Sequence, residues 1–232
     1  MAPKIPSTIQ CNSPEDLDRE LRPIREILAL EETEETWDKI SNGILLLTAV
    51  VKGGACSFPK DLVASIKLLS RPINRSILSE RSRLSGTAVD LIAELATGLQ
   101  HTFEPLLPLF LPQLLALATR SSKLSISRAK ICILAVLENT QLPSILGHLH
   151  VAVTDKSVSL RIVATESVLA CMNCFNPPDL ETQARAEDIE AVIRTTARDA
   201  NADVRRGSRK IFEAYKILLP GRVDAYVSTH VS

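Results

Sequence analysis

The chain has 232 residues, enough for one large domain or two small ones. Hydrophobic residues make up 45% of it, aromatic residues only 3%, and glycine occurs 8 times. This composition favours helices over β-sandwiches, which need more β-branched and aromatic residues. The 27 basic and 27 acidic residues cancel. No global charge therefore points to nucleic acid or to an anionic membrane as a partner.

The cysteines and the hydropathy pattern indicate a cytosolic protein. The chain has 5 cysteines, an odd number, and Cys132 and Cys171 lie inside apolar helical patterns. Residues 1–16 contain no apolar run, and no apolar stretch reaches the roughly 20 residues that span a bilayer. Reduced thiols in a cytosolic protein, without a membrane partner, are therefore expected.

A repeat runs through the chain. In five segments an apolar residue is followed four places later by a small residue, and four places after that by another apolar one; the third segment has serine at its first position. The segments are Trp37-Ser41-Leu45, Leu84-Ala88-Ile92, Ser125-Ala129-Ile133, Leu160-Ala164-Val168 and Val204-Ser208-Phe212. Their small residues are 47, 41, 35 and 44 positions apart, close to the roughly 40–47 residues of HEAT and armadillo units.

The repeat predicts helical hairpins. The five segments form the second helices, since the spacing i, i+4, i+8 places the three side chains on one helix face. We predict the first helices over 15–30, 59–70, 103–119, 142–152 and 187–198, with breaks at Gly53-Gly54 and at Asn176-Pro177-Pro178. Residues 1–13 are expected to be a flexible lead, residues 14–232 a single domain, and residues 220–232 a short last helix or cap.

The loops inside the hairpins are the predicted functional region. They fall at 31–36, 79–83, 120–124, 154–157 and 199–203, and stacking of the hairpins must align them along one edge. A basic edge is expected to suit an acidic protein surface. Besides Glu80, Arg83 and Arg120, this edge carries the candidate contact residues Trp37, Lys39, Arg81, Lys123, Lys156, Arg205 and Arg206.

Each candidate also has a plain structural interpretation. Trp37, the only tryptophan, is either a core or end-cap residue or an interface anchor. Arg161 and Arg205 either form ladders with neighbouring aspartates or contact a partner. Lys123 and Lys156 are either contacts or solvated charges in short turns. The sequence leaves these alternatives open.

Catalytic and metal-binding motifs are not found. The sequence has no P-loop, no GxGxxG after a strand, no HExxH and no GxSxG. His148 and His150 would point apart on a helix. Cys171 and Cys174 lack a second ligand pair at zinc spacing, so they are expected to close a helix, with Cys171 in the core. We predict a non-enzymatic protein without a cofactor or metal.

From Arg81 to about His230, the sequence resembles the TOG domains of the CLASP family of microtubule regulators. The Trp37-Asp38-Lys39 segment extends the similarity towards the N-terminus. The order and spacing of the motifs carry the resemblance: RS at 81–82, LATGLQHTF at 95–103, LPQL at 111–114, SSK at 121–123, TQLP at 140–143, DKSV at 155–158 and ARDANADVR at 197–205.

The resemblance implies an α-solenoid, a TOG-type paddle of five to six HEAT-like hairpins, whose loop edge binds αβ-tubulin or the microtubule lattice. It places Trp37 against β-tubulin in the first loop, Arg81 in the second, Lys123 in the third, Lys156 in the fourth and Arg205-Arg206 in the fifth. It also implies a monomer that stabilises or rescues microtubules, in the cytoplasm and at the spindle.

A different function remains open. Some TOG domains of this family have little affinity for free tubulin, so the alternative is a HEAT-repeat scaffold. Its helix faces would bind another protein partner, such as a kinetochore, adaptor or cortical factor. A buried Trp37 favours the scaffold, whereas an exposed Trp37 favours tubulin binding.

Overall fold

The computed structural model describes residues 5–223, and all regular elements in that range are helices. The helices are α1 (Pro14–Leu28), α2 (Trp37–Lys52), α3 (Pro59–Ile77), α4 (Ser82–Leu99), α5 (Leu107–Leu117), α6 (Lys123–Thr140), α7 (Ile145–Ala152), α8 (Val158–Cys174), α9 (Pro177–Leu180), α10 (Gln183–Ala197) and α11 (Ala202–Leu218). The all-α prediction is confirmed. Within 5–223, each helix is too short or too polar to cross a membrane.

Backbone contacts divide the chain into two compact units. Unit 1 comprises the residues up to Leu117 together with 127–140, and unit 2 comprises 118–126 together with the residues from Gln141 onward. Helix α6 therefore gives its first turn to unit 2 and the remainder to unit 1. A single domain over 14–232 stays a prediction.

In unit 1 the helices form two layers. The first helices pack on one another, α1 on α3 and α3 on α5, and the second helices α2 and α4 pack together. Each hairpin also closes on itself, α1 on α2 and α3 on α4. The Cys132 thiol of α6 donates a hydrogen bond to the Val89 carbonyl of α4 at 3.4 Å, which adds the unit 1 part of α6 to the second layer.

Unit 2 repeats this arrangement. The hairpins α7–α8 and α10–α11 each close on themselves, α7 packs on α10, and α8 packs on α11. Gly207 allows the close approach of α11 to α8, because a Cβ there would lie 2.5 Å from Cγ2 of Thr165. Stacking of first helices on first helices and second on second, within each unit, is the pattern of helical-hairpin repeats.

The small residues of the repeat lie where the second helices meet their neighbours. All five are buried, with at most 2% of their surface exposed: Ser41, Ala88, Ala129, Ala164 and Ser208. The repeat inferred from spacing thus marks real packing positions. Asn201 and Ser157 cap α11 and α8 by accepting backbone N–H groups of the first turn.

Several predicted first helices have other ends: the helix expected over 59–70 extends to Ile77, and the helix expected from residue 142 begins at Ile145. Two more begin four residues away from their predicted starts. The helix expected over 103–119 begins at Leu107, because Gln100 has a φ of 50° and residues 100–106 form a 3₁₀ segment that contains Pro105. The helix expected from residue 187 begins at Gln183. It follows the short helix α9, in which Pro177 and Pro178 occupy the first turn, where proline is tolerated. From residue 224 on, the expected last helix or cap lies outside the described residues.

The expected flexible lead is in part attached to α2. The backbone N–H of Ile9 donates to the Ala49 carbonyl, and that of Cys11 to the Gly53 carbonyl, both at 2.9 Å. Cys11 is buried, and burial, with Glu20 and Asp16 nearby, raises the pKa of its thiol. The prediction of a loose lead over 1–13 is therefore wrong for residues 9–11, because these backbone groups pair at the end of α2.

Candidate functional site: the loops within the hairpins

The first loop of unit 1, residues 29–36, carries four glutamates and is held together by threonines. The backbone N–H of Thr33 donates to Oγ1 of Thr36 at 2.8 Å. The Thr33 hydroxyl in turn donates to the Glu35 carboxylate at 2.8 Å and lowers the pKa of that carboxyl. These bonds fix the loop that leads into α2 at Trp37.

Trp37 is half-buried, between the two alternatives that the sequence left open. Two guanidinium groups from the start of α4 cover its ring: Cζ of Arg81 lies 5.4 Å and Cζ of Arg83 6.0 Å from the ring centroid. Cations at this distance are attracted to the face of an indole. Trp37 and Arg81, predicted to share the loop edge, are thus in contact.

The cations beside Trp37 are paired with carboxylates of the same unit. Nη2 of Arg81 lies 2.7 Å from Glu34 and its Nε lies 3.4 Å from Glu32. Arg83 lies 2.9 Å from Asp38. Lys39, in contrast, is exposed and forms no ion pair with any other residue of 5–223. From the sequence alone Arg81 is an available cation, and the glutamates at 31–35 are the sequence feature that indicates its pairing.

The loop surface of unit 1 carries more carboxylates than cations and is therefore acidic. Residues 31–39 and 78–83 hold six carboxylates and three cations. The prediction of a basic edge is wrong for unit 1, because it gave no weight to the glutamates of the first loop.

The loop surface of unit 2 is basic. Residues 118–123, 153–161 and 198–206 hold seven cations and three carboxylates. Lys123 begins α6 and Lys156 lies in the turn before α8. Both side chains are exposed and form no ion pair within the described part of the chain. Here the prediction of a basic surface agrees with the structure.

Arg161 and Arg205 brace the turns of unit 2. Arg161 donates from Nε and Nη2 to the Asp199 carboxylate, at 2.6 and 3.1 Å, and from Nη1 to the carbonyls of Asp155 and Lys156. Nη1 of Arg205 donates to the carbonyls of Asp199 and Ala200, both at 2.7 Å. The hydrogen bond from Arg161 holds the pKa of Asp199 below its usual range. The ladder interpretation therefore applies to Arg161.

Arg205 and Arg206 are placed differently. Arg205 is half-buried and tied to its own turn, whereas Arg206 is exposed and lies 2.9 Å from Asp203, one helical turn away. Exposed pairs of this kind are weak, so Arg206 can exchange Asp203 for a partner's carboxylate.

The remaining titratable residues do not form a metal centre in the described part of the chain. No group of three or more histidine, cysteine, aspartate or glutamate side chains there could hold a metal ion. His150 pairs with Asp188 at 3.1 Å. Helix α8 ends at Cys174 and Cys171 is fully buried, as predicted. Burial raises the pKa of the Cys171 thiol well above its usual range.

The fold is similar to that of a solved chain from the study "Structural Basis of Microtubule Plus End Tracking by XMAP215, CLIP-170 and EB1". The TM-score is 0.63 over 96% of this chain and 94% of that one. The sequences are 13% identical, so the likeness concerns the fold alone. It agrees with the predicted array of HEAT-like hairpins.

Sequence relatives are found among fungal proteins. Protein peg1 of Schizosaccharomyces pombe is 30% identical over 187 residues, which cover 78% of this chain and 13% of peg1. Protein STU1 of Gibberella zeae is 24% identical over 229 residues, 97% of this chain and 20% of STU1. The chain thus spans a fifth or less of these relatives. A sequence model of the family described as CLASP N terminal matches residues 17–230, and the chain belongs to this CLASP N-terminal family.

Proposed function

We propose that this chain is a non-catalytic module that binds αβ-tubulin, free or in the microtubule lattice, through the loops within its hairpins. The contact residues are the predicted set: Trp37, Lys39, Arg81, Lys123, Lys156, Arg205 and Arg206. Such a module would act in the cytoplasm, on microtubules and at the spindle, where it would stabilise or rescue microtubules.

The exposed lysines of unit 2 carry the proposal. Lys123 and Lys156 lie on consecutive loops, on a surface with more than twice as many cations as carboxylates. Neither lysine has an ion-pair partner among residues 5–223, so neither must give up an internal contact to bind an acidic protein such as tubulin. Complementary charge of this kind speeds association and fixes register.

The rigidity of the same turns supports the proposal. Arg161 and Arg205 hold the turns before α8 and α11 through their carbonyl groups. A surface that is ordered before binding loses less conformational entropy when the complex forms. Lys156, Arg205 and Arg206 are therefore presented on braced backbone.

The test is co-elution with purified αβ-tubulin in size-exclusion chromatography, at low and at raised salt. We expect a complex that dissociates as salt rises, because exposed charges are screened. The variant K123E/K156E is expected to weaken binding by about tenfold, more at low salt. Arg205→Glu is a poorer probe, because it would also break the turn that Arg205 braces.

A matched control has the same charge change elsewhere. Lys67 and Arg71 are exposed in the middle of α3, without ion pairs in the described chain, so K67E/R71E should bind as the unmodified chain does. If K123E/K156E and K67E/R71E lose affinity equally, only net charge matters and the loop contact is refuted. If the unmodified chain fails to co-elute at either salt, binding of free tubulin is refuted.

A second candidate is a scaffold for another protein partner, and unit 1 favours it. Arg81 and Arg83 cover Trp37 and are neutralised by Glu32, Glu34 and Asp38. For this candidate, adding tubulin leaves the emission of Trp37 and its quenching by acrylamide unchanged. A change in either would favour tubulin contact at the loops of unit 1.

A further inference from the structure

Two exposed apolar side chains lie at helix starts on the loop surface of unit 2. Leu124, the second residue of α6, is 50% exposed, and Val158, the first residue of α8, is 42% exposed. Each lies within two positions of an exposed lysine, Lys123 for Leu124 and Lys156 for Val158. The starts of α6 and α8 thus each combine an exposed cation with an exposed apolar side chain.

The first turn of a helix is an unfavourable place for an exposed apolar residue. Unpaired backbone N–H groups there favour acidic and polar side chains. Side chains of a helix also lean towards its N-terminus, so Leu124 and Val158 lean towards the loops and away from the packed helix layers. The helix N-terminus therefore does not stabilise either side chain, and neither side chain is fully buried.

One hydrogen bond links the start of α8 to the loop before α6, and each helix start is capped by its own serine. The Ser159 hydroxyl, in the first turn of α8, donates to the carbonyl of Ala118 in the loop before α6 at 2.7 Å. The Ser122 hydroxyl accepts the N–H of Ser125 at 3.3 Å, and the Ser157 hydroxyl accepts that of Leu160 at 3.4 Å. The backbone that carries Leu124 and Val158 is therefore fixed before any partner binds.

We propose that Leu124 and Val158 are apolar anchors of the tubulin contact in unit 2, with Lys123 and Lys156 as the charged rim. The inference rests on the proposed function and adds two specificity-determining residues to it. Its partner chemistry is an acidic protein surface with an apolar depression between its carboxylates. Protein interfaces combine an apolar centre with a polar, charged rim in this way, and a few desolvated side chains carry most of the affinity.

Isolated exposed apolar residues are common on protein surfaces, so exposure alone does not identify an anchor. Unit 2 has two other exposed apolar residues that serve as controls. Val151 on α7 and Ile217 near the end of α11 are 70% and 79% exposed. They are more exposed than the proposed anchors. Val151 leans towards the N-terminus of α7 and away from the loop that follows, and Ile217 lies at the end of α11 that is far from its loop. If exposure alone mattered, they would contribute to tubulin binding at least as much as Leu124 and Val158.

The experiment compares L124S/V158S with V151S/I217S in co-elution with αβ-tubulin, over a series of salt concentrations. We expect L124S/V158S to lower affinity by about tenfold at every salt concentration, since apolar contacts are not screened. V151S/I217S should bind as the unmodified chain does. All four positions are exposed, and circular dichroism with thermal unfolding verifies that both variants keep the fold.

The outcomes separate the two proposals. Loss of binding by L124S/V158S alone supports the anchors. Equal binding by L124S/V158S and the unmodified chain overturns the anchors and leaves charge-driven tubulin binding intact. Equal losses in both double variants also overturn the anchors, because any exposed apolar residue would then contribute. Failure of the unmodified chain to bind overturns the proposed function and the anchors with it.

Discussion

Unit 1 and unit 2 both place arginines near the start of a second helix, but these arginines have different partners. Arg81 stacks on Trp37 and pairs with Glu32 and Glu34, and its side chain is 33% exposed. Arg161 pairs with Asp199 and with the carbonyls of its own turn, and its side chain is 13% exposed. An arginine thus covers the ring of Trp37 in unit 1, whereas an arginine stabilises a turn in unit 2.

The difference shows that the depth of an ion pair decides what a loop cation can do. A pair on the surface contributes little to stability and exchanges readily, whereas a largely buried pair leaves an uncompensated charge when it is broken. Arg81 is therefore available to a partner that outcompetes Glu32 and Glu34. Arg161 is committed to the fold, so the contact in unit 2 falls to the other cations of the proposed set, above all the exposed Lys123 and Lys156.

The largest expected effect is the loss of the Arg161 side chain. Arg161→Ala removes the bonds to Asp199, which is only 7% exposed, and leaves that carboxylate without its counter-ion. We expect unfolding to become easier by about 2 kcal/mol. Urea denaturation followed by circular dichroism measures the change.

A conservative variant and a matched surface variant sharpen this comparison. Arg161→Lys keeps the charge but cannot reach Asp199 and both carbonyls at once, so it should fall between Arg161→Ala and the unmodified chain. Arg81→Ala in unit 1 should cost about 1 kcal/mol or less. Equal losses for Arg161→Ala and Arg81→Ala would contradict the distinction between bracing and surface arginines.

The pH dependence of stability is expected to follow the same pair, with a smaller effect. The hydrogen bond from Arg161 lowers the pKa of Asp199 from its ordinary value of 3.8. A carboxyl whose folded pKa is depressed contributes stability that is fully present above its unfolded pKa and is lost as pH falls through the folded pKa. Asp199 should therefore stabilise the fold above about pH 5 and progressively less below pH 4.

Comparison with Asp199→Asn isolates this titration from that of the other carboxyls. The difference in unfolding free energy between the unmodified chain and Asp199→Asn should be constant from pH 7 to 5 and shrink towards pH 3. A difference that stays constant down to pH 3 would mean that Arg161 does not lower the pKa of Asp199.

Much of the fold could be predicted because residues that become buried recur at a regular spacing in the sequence. The small residues at positions such as Ala88 and Ala164 mark where second helices approach each other, and both are fully buried. The start of α5 could not be predicted, because the positive φ of Gln100 and the 3₁₀ segment after it have no periodic signature.

The candidate site was less predictable than the fold, because sequence shows which charges are present and not which of them pair. Lys123 and Lys156 are exposed, as loop lysines usually are. The pairing of Arg81 with Glu34 joins residues 47 positions apart, which only the packing of α2 on α4 determines. Leu124 and Val158 carry no motif, and their exposure depends on where α6 and α8 begin.

The smallest expected effect tests whether the acidic loop of unit 1 competes with an acidic partner. E32Q/E34Q removes the charges that hold Arg81 and frees its guanidinium for a partner's carboxylate. Exposed ion pairs are worth about 1 kcal/mol or less, so affinity for αβ-tubulin should rise by about fourfold at low salt. Co-elution at a series of αβ-tubulin concentrations measures the change.

The control for this prediction lies in the same loop. E31Q/E35Q removes the same amount of charge, but neither Glu31 nor Glu35 forms an ion pair with Arg81. If binding improves more in E32Q/E34Q than in E31Q/E35Q, release of Arg81 contributes beyond the general loss of negative charge. Equal improvement in both variants would mean that the acidic loop acts only through its overall negative charge. No improvement in either variant would place the tubulin contact in unit 2 alone.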